Sequence, residues 1–280
     1  MFEQIDQKKE LLDSKRPLPK YTLKSLREKL LLEWTYNSNA IEGNTLTINE
    51  TTVVLEGITV GGKTLREHLE VINHREAIAY VEEIVHKEES LSEWQIKNLH
   101  RLVLKGIDDA YAGVYRDQQV FISGASHVPP TPFLIKEQME QMMEWYQTEA
   151  ISLHPVERGA MLHAIFVGIQ PFIDGNGRTA RLLLNLELMK EGFPPVIIKV
   201  ANRLEYYDAL DKAHTTKDYN DFIQLVEKEV EDSLNLYLSV TNECINLHSF
   251  LHKKRPSMTI TLTQLRLPVT LSIYLHIFKL

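Results

Sequence analysis

Apolar residues recur along most of the chain at the spacing of amphipathic helices. In residues 22–42, the apolar side chains that share one helical face are Leu23, Leu26, Leu30, Leu31 and Trp34. Gly43 follows this segment directly, at the position where a left-handed residue ends many helices. The pattern therefore predicts a long helix that ends beside Glu42.

Residue pairs of the capping-box type predict where further helices begin. The pairs are Thr47 with Glu50, Thr64 with Glu67, and Ser92 with Gln95. In such a pair, each side chain satisfies a backbone N–H group that the first helical turn leaves without a partner. More helices are predicted from apolar periodicity at about 134–146, 204–214 and 220–251.

Two segments near the middle of the chain predict the central helices of the bundle. Residues 156–169 are apolar on nearly all sides, which is typical of a fully buried helix. A second central helix is predicted at about 178–190, because Gly192 and a following pair of prolines end it.

Residues 119–130, with the sequence QVFISGASHVPP, lack the helical periodicity of the flanking segments. They combine β-favouring side chains, a turn at Ser123 and Gly124, and prolines, which predicts a small hairpin. The predicted fold class is all-α, a helical bundle with one small β-hairpin flap. The predicted divisions are an N-terminal extension, N-terminal helices, a core, and a C-terminal helix end with a tail, at 1–20, 21–110, 111–235 and 236–280.

Composition limits the class of protein. A chain of 280 residues with 44% hydrophobic content can bury one substantial core. The formal charge of −7, from 31 basic and 38 acidic side chains, argues against binding to nucleic acid. The single Cys244 excludes an intrachain disulfide. No apolar run reaches the about 18 residues that a membrane span needs, and no secretion leader is recognised, so we expect a cytoplasmic protein without a membrane partner.

Residues 170–181, QPFIDGNGRTAR, carry the strongest candidate chemistry. Glycines let backbone N–H groups approach an anion, and the helix expected at Arg178 adds the positive end of its dipole. Asp174 offers the hard oxygen ligand that Mg²⁺ prefers. Arg178 and Arg181 share a helix face and can bind phosphate oxygens. The segment therefore predicts a site for a polyphosphate with a metal ion.

Other interpretations of this segment are weaker. Residues 175–180 also match the dinucleotide pattern G-x-G-x-x-G/A, but a helix precedes them where that motif needs a strand. Asp174 could begin a calcium loop, yet the glycine and glutamate expected later in that loop are absent. A purely structural turn would not need an aspartate, an asparagine and two arginines together.

The segment resembles the motif of the Fic family, H-P-F-x-D/E-G-N-G-R-x-x-R, whose members transfer AMP from ATP to proteins. The resemblance covers about residues 23–230 and implies a Fic-type bundle that uses ATP and Mg²⁺ and modifies a Ser, Thr or Tyr hydroxyl of a target protein. It implies that Asp174 binds Mg²⁺. It also implies an anion hole and phosphate contacts, formed by Gly175, Asn176, Gly177, Arg178 and Arg181.

Gln170 occupies the position of the family's catalytic histidine. A carboxamide has no basic lone pair near neutral pH, so it cannot accept the proton of the target hydroxyl. General-base assistance contributes about 10² to 10⁴ in rate, so we expect AMP transfer to be impaired by at least that factor. His163 on the preceding helix is roughly 10 Å away and is interpreted as a core histidine. A natural and an introduced glutamine stay open as the origin of Gln170.

A second resemblance lies upstream, where residues 38–43 match the inhibitory motif [ST]-x-x-x-E-[GN] of self-restrained Fic proteins. It involves Ser38, Glu42 and Gly43. We expect Glu42 to pair bidentately with Arg181 and to occupy the place of the γ-phosphate of ATP. A carboxylate at a helix C-terminus faces the negative end of the dipole, which favours a cationic partner.

Further expectations follow from the same resemblance. Tyr207 would stack on adenine, beside His214. The edge of the flap would bind the target segment by strand addition, through Val120, Phe121, Ile122, Ser123 and Gly124. A homodimer is expected from relatives with the inhibitory motif. Two alternatives to an AMP transferase stay open, a nucleotide-dependent binding pseudoenzyme and a bifunctional enzyme that also removes AMP.

Overall fold

The computed structural model describes residues 2–253, with side chains described as far as Thr241. Along these residues the helices are α1 (Glu3–Asp13), α2 (Lys20–Ile41), α3 (Ile48–Leu55), α4 (Leu65–His86), α5 (Glu93–Leu104), α6 (Ile135–Thr148), α7 (Pro155–Ile169), α8 (Asn176–Lys190), α9 (Arg203–Thr216) and α10 (Asn220–Lys253). Short 3₁₀ turns occur at Pro132–Leu134, Ala150–Ser152 and Val200–Asn202. Within this part of the chain no β-strand forms.

Helices α7 and α8 form the centre of the bundle. A short loop joins them, and α8 also packs against α2, α4 and α5. Nearly every side chain of α8 is buried, including those of Arg178 and Arg181. Phe166 of α7 and Phe172 of the loop are fully buried beneath the turn. The N-terminus of α8 is therefore held by packing on several sides.

The helix predicted at 22–42 is α2, and it ends as expected. Gly43 is left-handed, with φ +97°, and the N–H group of Asn44 donates to the carbonyl oxygen of Asn39 over 3.1 Å. This is the hydrogen-bond pattern of a glycine-ended helix, which places Glu42 at the C-cap.

Two of the three predicted capping boxes are complete. At the starts of α3 and α4, the hydroxyls of Thr47 and Thr64 accept from the N–H groups of Glu50 and Glu67, and the two threonine N–H groups donate to the carboxylates of those glutamates. Helix α5 also begins where predicted, but the hydroxyl of Ser92 donates to Oε1 of Gln95 over 2.7 Å instead of accepting from the backbone.

The N-terminal end of the chain contains a helix that the sequence did not predict. The segment 1–20 contains α1, which we did not predict, and Ile5 and Leu12 of this helix are buried in the main core. The tail at 255–280 lies outside the described residues. Among the helices described, none combines the length and apolarity needed to span a bilayer.

Candidate functional site

The loop between α7 and α8 is shaped by two left-handed residues. Gln170 ends α7 with φ 48° and ψ 59°, and Gly175 precedes α8 with φ 75°. A left-handed backbone is unfavourable for a residue with a Cβ atom, so tertiary contacts must hold Gln170 in place. One such contact is the Nε group of Arg116, which donates to the carbonyl oxygen of Gln170 over 2.8 Å.

Asn176 braces this loop from inside. Its Oδ1 accepts from the N–H group of Phe172 over 3.0 Å, and its Nδ2 donates to the carbonyl oxygen of Phe172 over 2.8 Å. The amide predicted to face an anion is therefore committed to the backbone. The backbone N–H groups of the first turn of α8 remain, because no intrahelical partner exists for them. An anion at this helix end would be bound by those groups.

His100 of α5 supports the loop from below, and the sequence did not indicate it. Its Nε2 lies 2.8 Å from the carbonyl oxygen of Asp174, and its Nδ1 accepts from the N–H group of Gly113 over 2.8 Å. The ring stacks on Phe172 with centroids 3.6 Å apart. Burial lowers the pKa of His100 to about 4, so the ring is neutral, with its proton on Nε2.

Two features favour glycine at position 175, its left-handed backbone and the lack of room for a side chain. A Cβ atom at this position would lie 3.2 Å from Cγ1 of Val103 and 3.3 Å from Nε2 of His100. The turn therefore approaches α5 more closely than other residues would allow.

The carboxylate of Asp174 is surrounded by positive groups. Its Oδ1 accepts from the N–H group of Gly175 over 2.6 Å and lies 3.4 Å from Nη2 of Arg178. Its Oδ2 accepts from Nη2 of Arg66. Burial would raise the pKa of Asp174, but Arg178, the Gly175 N–H group and Arg66 together hold it below its usual value. Asp174 is therefore ionised and can bind a cation.

Arg178 is almost fully buried, at 2% exposure. Its Nη1 lies 3.3 Å from Oε1 of Glu70, but the angle is not that of a hydrogen bond, so the Nε and Nη1 donors have no hydrogen-bond partner among the described residues. Glu70 therefore attracts Arg178 as an ion pair, and because an unsatisfied guanidinium donor is costly in the interior, the Nε and Nη1 donors are suited to bind a ligand or water.

Arg181 lies at the centre of a buried polar cluster. Its Nη2 donates to Oε1 of Glu42 over 2.7 Å and to the carbonyl oxygen of Ser38 over 2.8 Å. Its Nε donates to the hydroxyl of Ser38 over 3.0 Å, and its Nη1 donates to the hydroxyl of Tyr206 over 3.2 Å. The structure thus brings Ser38, Glu42 and Arg181 together. The expected bidentate pair is wrong, however, because Glu42 meets Arg181 through one contact, from Nη2 to Oε1.

Glu42 also lies against the N-terminus of α8. A Cβ atom at Gly177 would fall 2.2 Å from Oε1 of Glu42, so only glycine leaves room for this carboxylate. The negative end of the α2 dipole disfavours Glu42, while the positive end of α8 and Arg181 favour it. The carboxylate thus lies at the N-terminus of α8, beside Gly177 and Arg181.

The residues expected at adenine have protein partners. The hydroxyl of Tyr207 donates to the carbonyl oxygen of Ile41 over 3.2 Å, and its ring lies under the guanidinium of Arg203. Nε2 of His214 lies 2.8 Å from the carbonyl oxygen of Ala164. Burial lowers the pKa of His214 to about 4. Tyr207 keeps 37% exposure, whereas His214 is buried.

The segment at 117–131 is an irregular loop, where the sequence predicted a hairpin. Side chains take the place of a strand ladder. Arg116 donates from Nη1 to the carbonyl oxygen of Gln118 over 2.8 Å and from Nη2 to that of Pro130 over 2.6 Å. Oδ1 of Asp211 accepts from the N–H groups of Ser126 and His127 over 2.8 and 2.9 Å. Pro129 and Pro130 also lack the backbone N–H groups that the second strand of a hairpin would need to donate.

The loop residues expected to meet a target are mostly open. Within 120–124, Phe121 is 77% exposed, and the turn at Gly124 has φ 81°.

His163, expected in the core, is fully buried, and its Nε2 lies 3.1 Å from the hydroxyl of Tyr206. Burial holds the pKa of His163 well below its usual value, so this neutral side chain belongs to the packing around Arg181.

One carboxylate fits the way in which proteins bind Mg²⁺ with a nucleotide. The described residues contain no group of three or more His, Cys, Asp or Glu side chains suited to a metal ion. Mg²⁺ commonly uses one or two carboxylates, with phosphate oxygens and waters completing its shell. Asp174, beside the N-terminus of α8, meets that description.

Comparisons with known proteins agree with this architecture. Residues 90–188 match the family model described as Fic/DOC family. Fic-1 from C. elegans has a TM-score of 0.77 and 34% identity, covering 86% of this chain and 72% of that one. A Fic domain containing signaling protein from Bacteroides thetaiotaomicron has a TM-score of 0.79 and 31% identity, covering 85% of this chain and 97% of that one.

A curated relative is the protein adenylyltransferase Fic of Nematostella vectensis, which is 40% identical over 244 residues, 86% of this chain and 56% of that protein. This chain therefore belongs to the Fic/DOC family. It spans about half the length of the curated relatives that it matches. The helical Fic-type fold is confirmed.

Proposed function

We propose that this chain is a protein adenylyltransferase that transfers AMP from ATP to a Ser, Thr or Tyr hydroxyl of a target protein. The observation that carries the proposal is the carboxylate of Glu42 at the N-terminus of α8, bound to Arg181. An internal anion at this position marks a place built for anionic oxygens. The names of the relatives, protein adenylyltransferases, support AMP as the transferred group.

The proposed reaction breaks one phosphorus–oxygen bond of ATP and forms another. The hydroxyl oxygen of the target attacks the α-phosphorus, and pyrophosphate leaves with the bridging oxygen. The chain binds the triphosphate through the backbone N–H groups of α8 and through Arg178 and Arg181. Asp174 would hold Mg²⁺, which neutralises charge on the phosphate oxygens when it is bound. Gln170 cannot accept the proton of the target hydroxyl, so that proton passes to solvent water and transfer is slow.

Glu42 restrains the site by competition. The γ-phosphate and the carboxylate of Glu42 compete for Nη2 of Arg181, while Nε donates to Ser38 and Nη1 donates to Tyr206. A triphosphate that enters while Glu42 stays in place must therefore adopt another pose, unsuited to in-line attack.

The remaining assignments are parts of the same proposal. Tyr207 would stack on adenine after it leaves Ile41, and His214 would line the pocket. The backbone of residues 120–124 would bind an extended target segment. A homodimer and a cytoplasmic location remain expectations.

Gln170 favours a second candidate, a pseudoenzyme that binds nucleotide and target without transfer. The decisive experiment uses the Gln170→His, Glu42→Gly form with ATP labelled in the α- or the γ-phosphate, and analyses the label on protein. The proposal predicts protein label from α-labelled ATP alone, lost when Asp174→Asn is added. Label from the γ-phosphate would indicate phosphate transfer, and ATP binding without label would favour the pseudoenzyme.

A further inference from the structure

Arg66 connects α4 to the metal-binding carboxylate that the sequence had indicated. It lies in the first turn of α4 and is 108 positions from Asp174. Its Nη2 donates to Oδ2 of Asp174, while its Nε donates to Oε1 of Glu70 over 3.1 Å. The side chain is 57% exposed, so it can move without disturbing the core.

The two oxygens of Asp174 are not equivalent. Oδ1 is held by the N–H group of Gly175 and faces Arg178, whereas Oδ2 is held by Arg66. The carboxylate is 44% exposed, so a hydrated cation can reach it. A divalent cation needs a carboxylate lone pair and is repelled by a guanidinium at the same oxygen. Binding of a metal ion at Oδ2 therefore requires that Arg66 leave.

Glu70 provides a place for the released guanidinium. Its Oε1 already accepts from Arg66, and its Oε2 accepts from Nδ2 of Asn44 over 2.8 Å. Its side chain is 10% exposed and is held by contacts that do not involve Asp174. Arg66 can thus withdraw from Asp174 while it keeps one ion pair.

We propose that Arg66 is an internal cation that occupies Oδ2 of Asp174 in the metal-free protein and competes there with Mg²⁺. The inference rests on the proposed function, because the metal arrives with the nucleotide. Arg66 neutralises Asp174 while no metal is bound, and it sets how strongly nucleotide binding depends on the metal. This role is a determinant of metal occupancy, separate from the competition between Glu42 and the γ-phosphate.

The test is calorimetric binding of the non-hydrolysable analogue AMPPNP, with Mg²⁺ and with EDTA, so that no catalytic activity is required. The measured quantity is the ratio of the affinity with Mg²⁺ to the affinity without it. An exposed ion pair contributes modestly, so Arg66→Gln should raise this ratio about two- to fivefold. Arg66→Lys, which keeps the charge, should change it less.

Arg27→Gln is the matched control, because Arg27 is also exposed and pairs with Glu82, near the C-terminal end of α4. Its ratio should equal that of the unchanged protein. An unchanged ratio in Arg66→Gln would overturn the inference, and so would equal weakening with and without Mg²⁺, which would make Arg66 a phosphate ligand. Absence of AMPPNP binding in every form would overturn the proposed function as well.

Discussion

The carboxylate oxygen Oε1 of Glu42 lies 2.7 Å from Nη2 of Arg181, although the two residues are 139 positions apart. Arg181 is 3% exposed, and a buried guanidinium without a counter-ion would be strongly destabilising. Burial would lower the pKa of Arg181, but Tyr206 and Glu42 raise it above its usual value. Glu42 is therefore the internal counter-ion of a cation that a phosphate could otherwise satisfy.

The first prediction concerns the stability that this pair contributes. Removing one partner of a fully buried pair costs about 3 to 5 kcal/mol, but Ser38 and Tyr206 still bind Arg181, and Glu42 is 32% exposed. We expect Glu42→Gln to lower the free energy of unfolding by about 1 to 2 kcal/mol, as measured by urea denaturation. The control is Glu56→Gln, an exposed acid at the C-cap of α3. Equal losses in the two variants would contradict the prediction.

The second prediction tests the contact between Glu42 and Gly177. The backbone of Gly177 is helical, so alanine is disfavoured there chiefly by the Glu42 carboxylate, 2.2 Å from the new Cβ atom, whereas Nη1 of Arg181 lies farther away, at 3.2 Å. Gly177→Ala should destabilise the unchanged protein by about 1 to 3 kcal/mol and should cost little after Glu42→Gly. Urea denaturation of the four forms gives the coupling energy.

Gly61→Ala is the control for that cycle, because a Cβ atom at Gly61 meets nothing within 4 Å. It should show no coupling to Glu42→Gly. Additive effects of Gly177→Ala and Glu42→Gly, within about 0.5 kcal/mol, would mean that the carboxylate does not lie at Gly177.

The third prediction concerns Arg116, which is 2% exposed. Its guanidinium donates to carbonyl oxygens near the start of the 117–131 loop, near the end of that loop and at the end of α7. Arg116→Met removes these three hydrogen bonds, each worth about 1 kcal/mol or more. Amide hydrogen exchange at Ser126 and His127 should accelerate about fivefold or more. Arg27→Met should leave it unchanged. Unaltered exchange in Arg116→Met would show that Asp211 alone holds the loop.

The fourth prediction is a dependence of stability on pH that involves His100. The pKa of His100 is about 4 in the folded protein, below its ordinary value of 6.5. Between these values the unfolded chain binds more protons, so the free energy of unfolding falls as the pH falls, by up to about 1.4 kcal/mol per pH unit. A protonated Nδ1 could no longer accept from Gly113.

The thermal stability of the unchanged protein should therefore fall from pH 7 to pH 5. His100→Gln should make this dependence of stability on pH less steep. His214, whose pKa is also about 4, would account for part of the remainder. The control His86→Gln, at an exposed position, should keep the full slope. A slope that His100→Gln leaves intact would contradict the assignment of the neutral ring.

Most of the helices could be predicted from the sequence, because their causes are local. Apolar periodicity and the prolines indicate α7 and α8, and the reciprocal bonds at Thr47 and Thr64 involve residues in the same turn. The segment that carries Asp174, Arg178 and Arg181 was recognisable for the same reason, since its chemistry lies within one short run.

The supporting contacts were not predictable, because their partners are distant in sequence. His100 reaches Asp174 across 74 positions, and Arg116 reaches Gln170 across 54. Periodicity indicates that such residues are helical or buried, but not which backbone group they bind. The prediction of a hairpin was wrong for a related reason. Tertiary hydrogen bonds that involve Arg116 and Asp211 replace the strand ladder that β-propensity favours.

The most direct test measures the rate of AMP transfer in the unchanged protein, Gln170→His, Glu42→Gly and the double variant. A missing base and an internal restraint act on the same step, so only the double variant should label protein rapidly. It should exceed Glu42→Gly by about 10² or more. If Glu42→Gly alone matched the double variant, Gln170 would not be the defect. If Gln170→His alone matched it, Glu42 would not restrain the site.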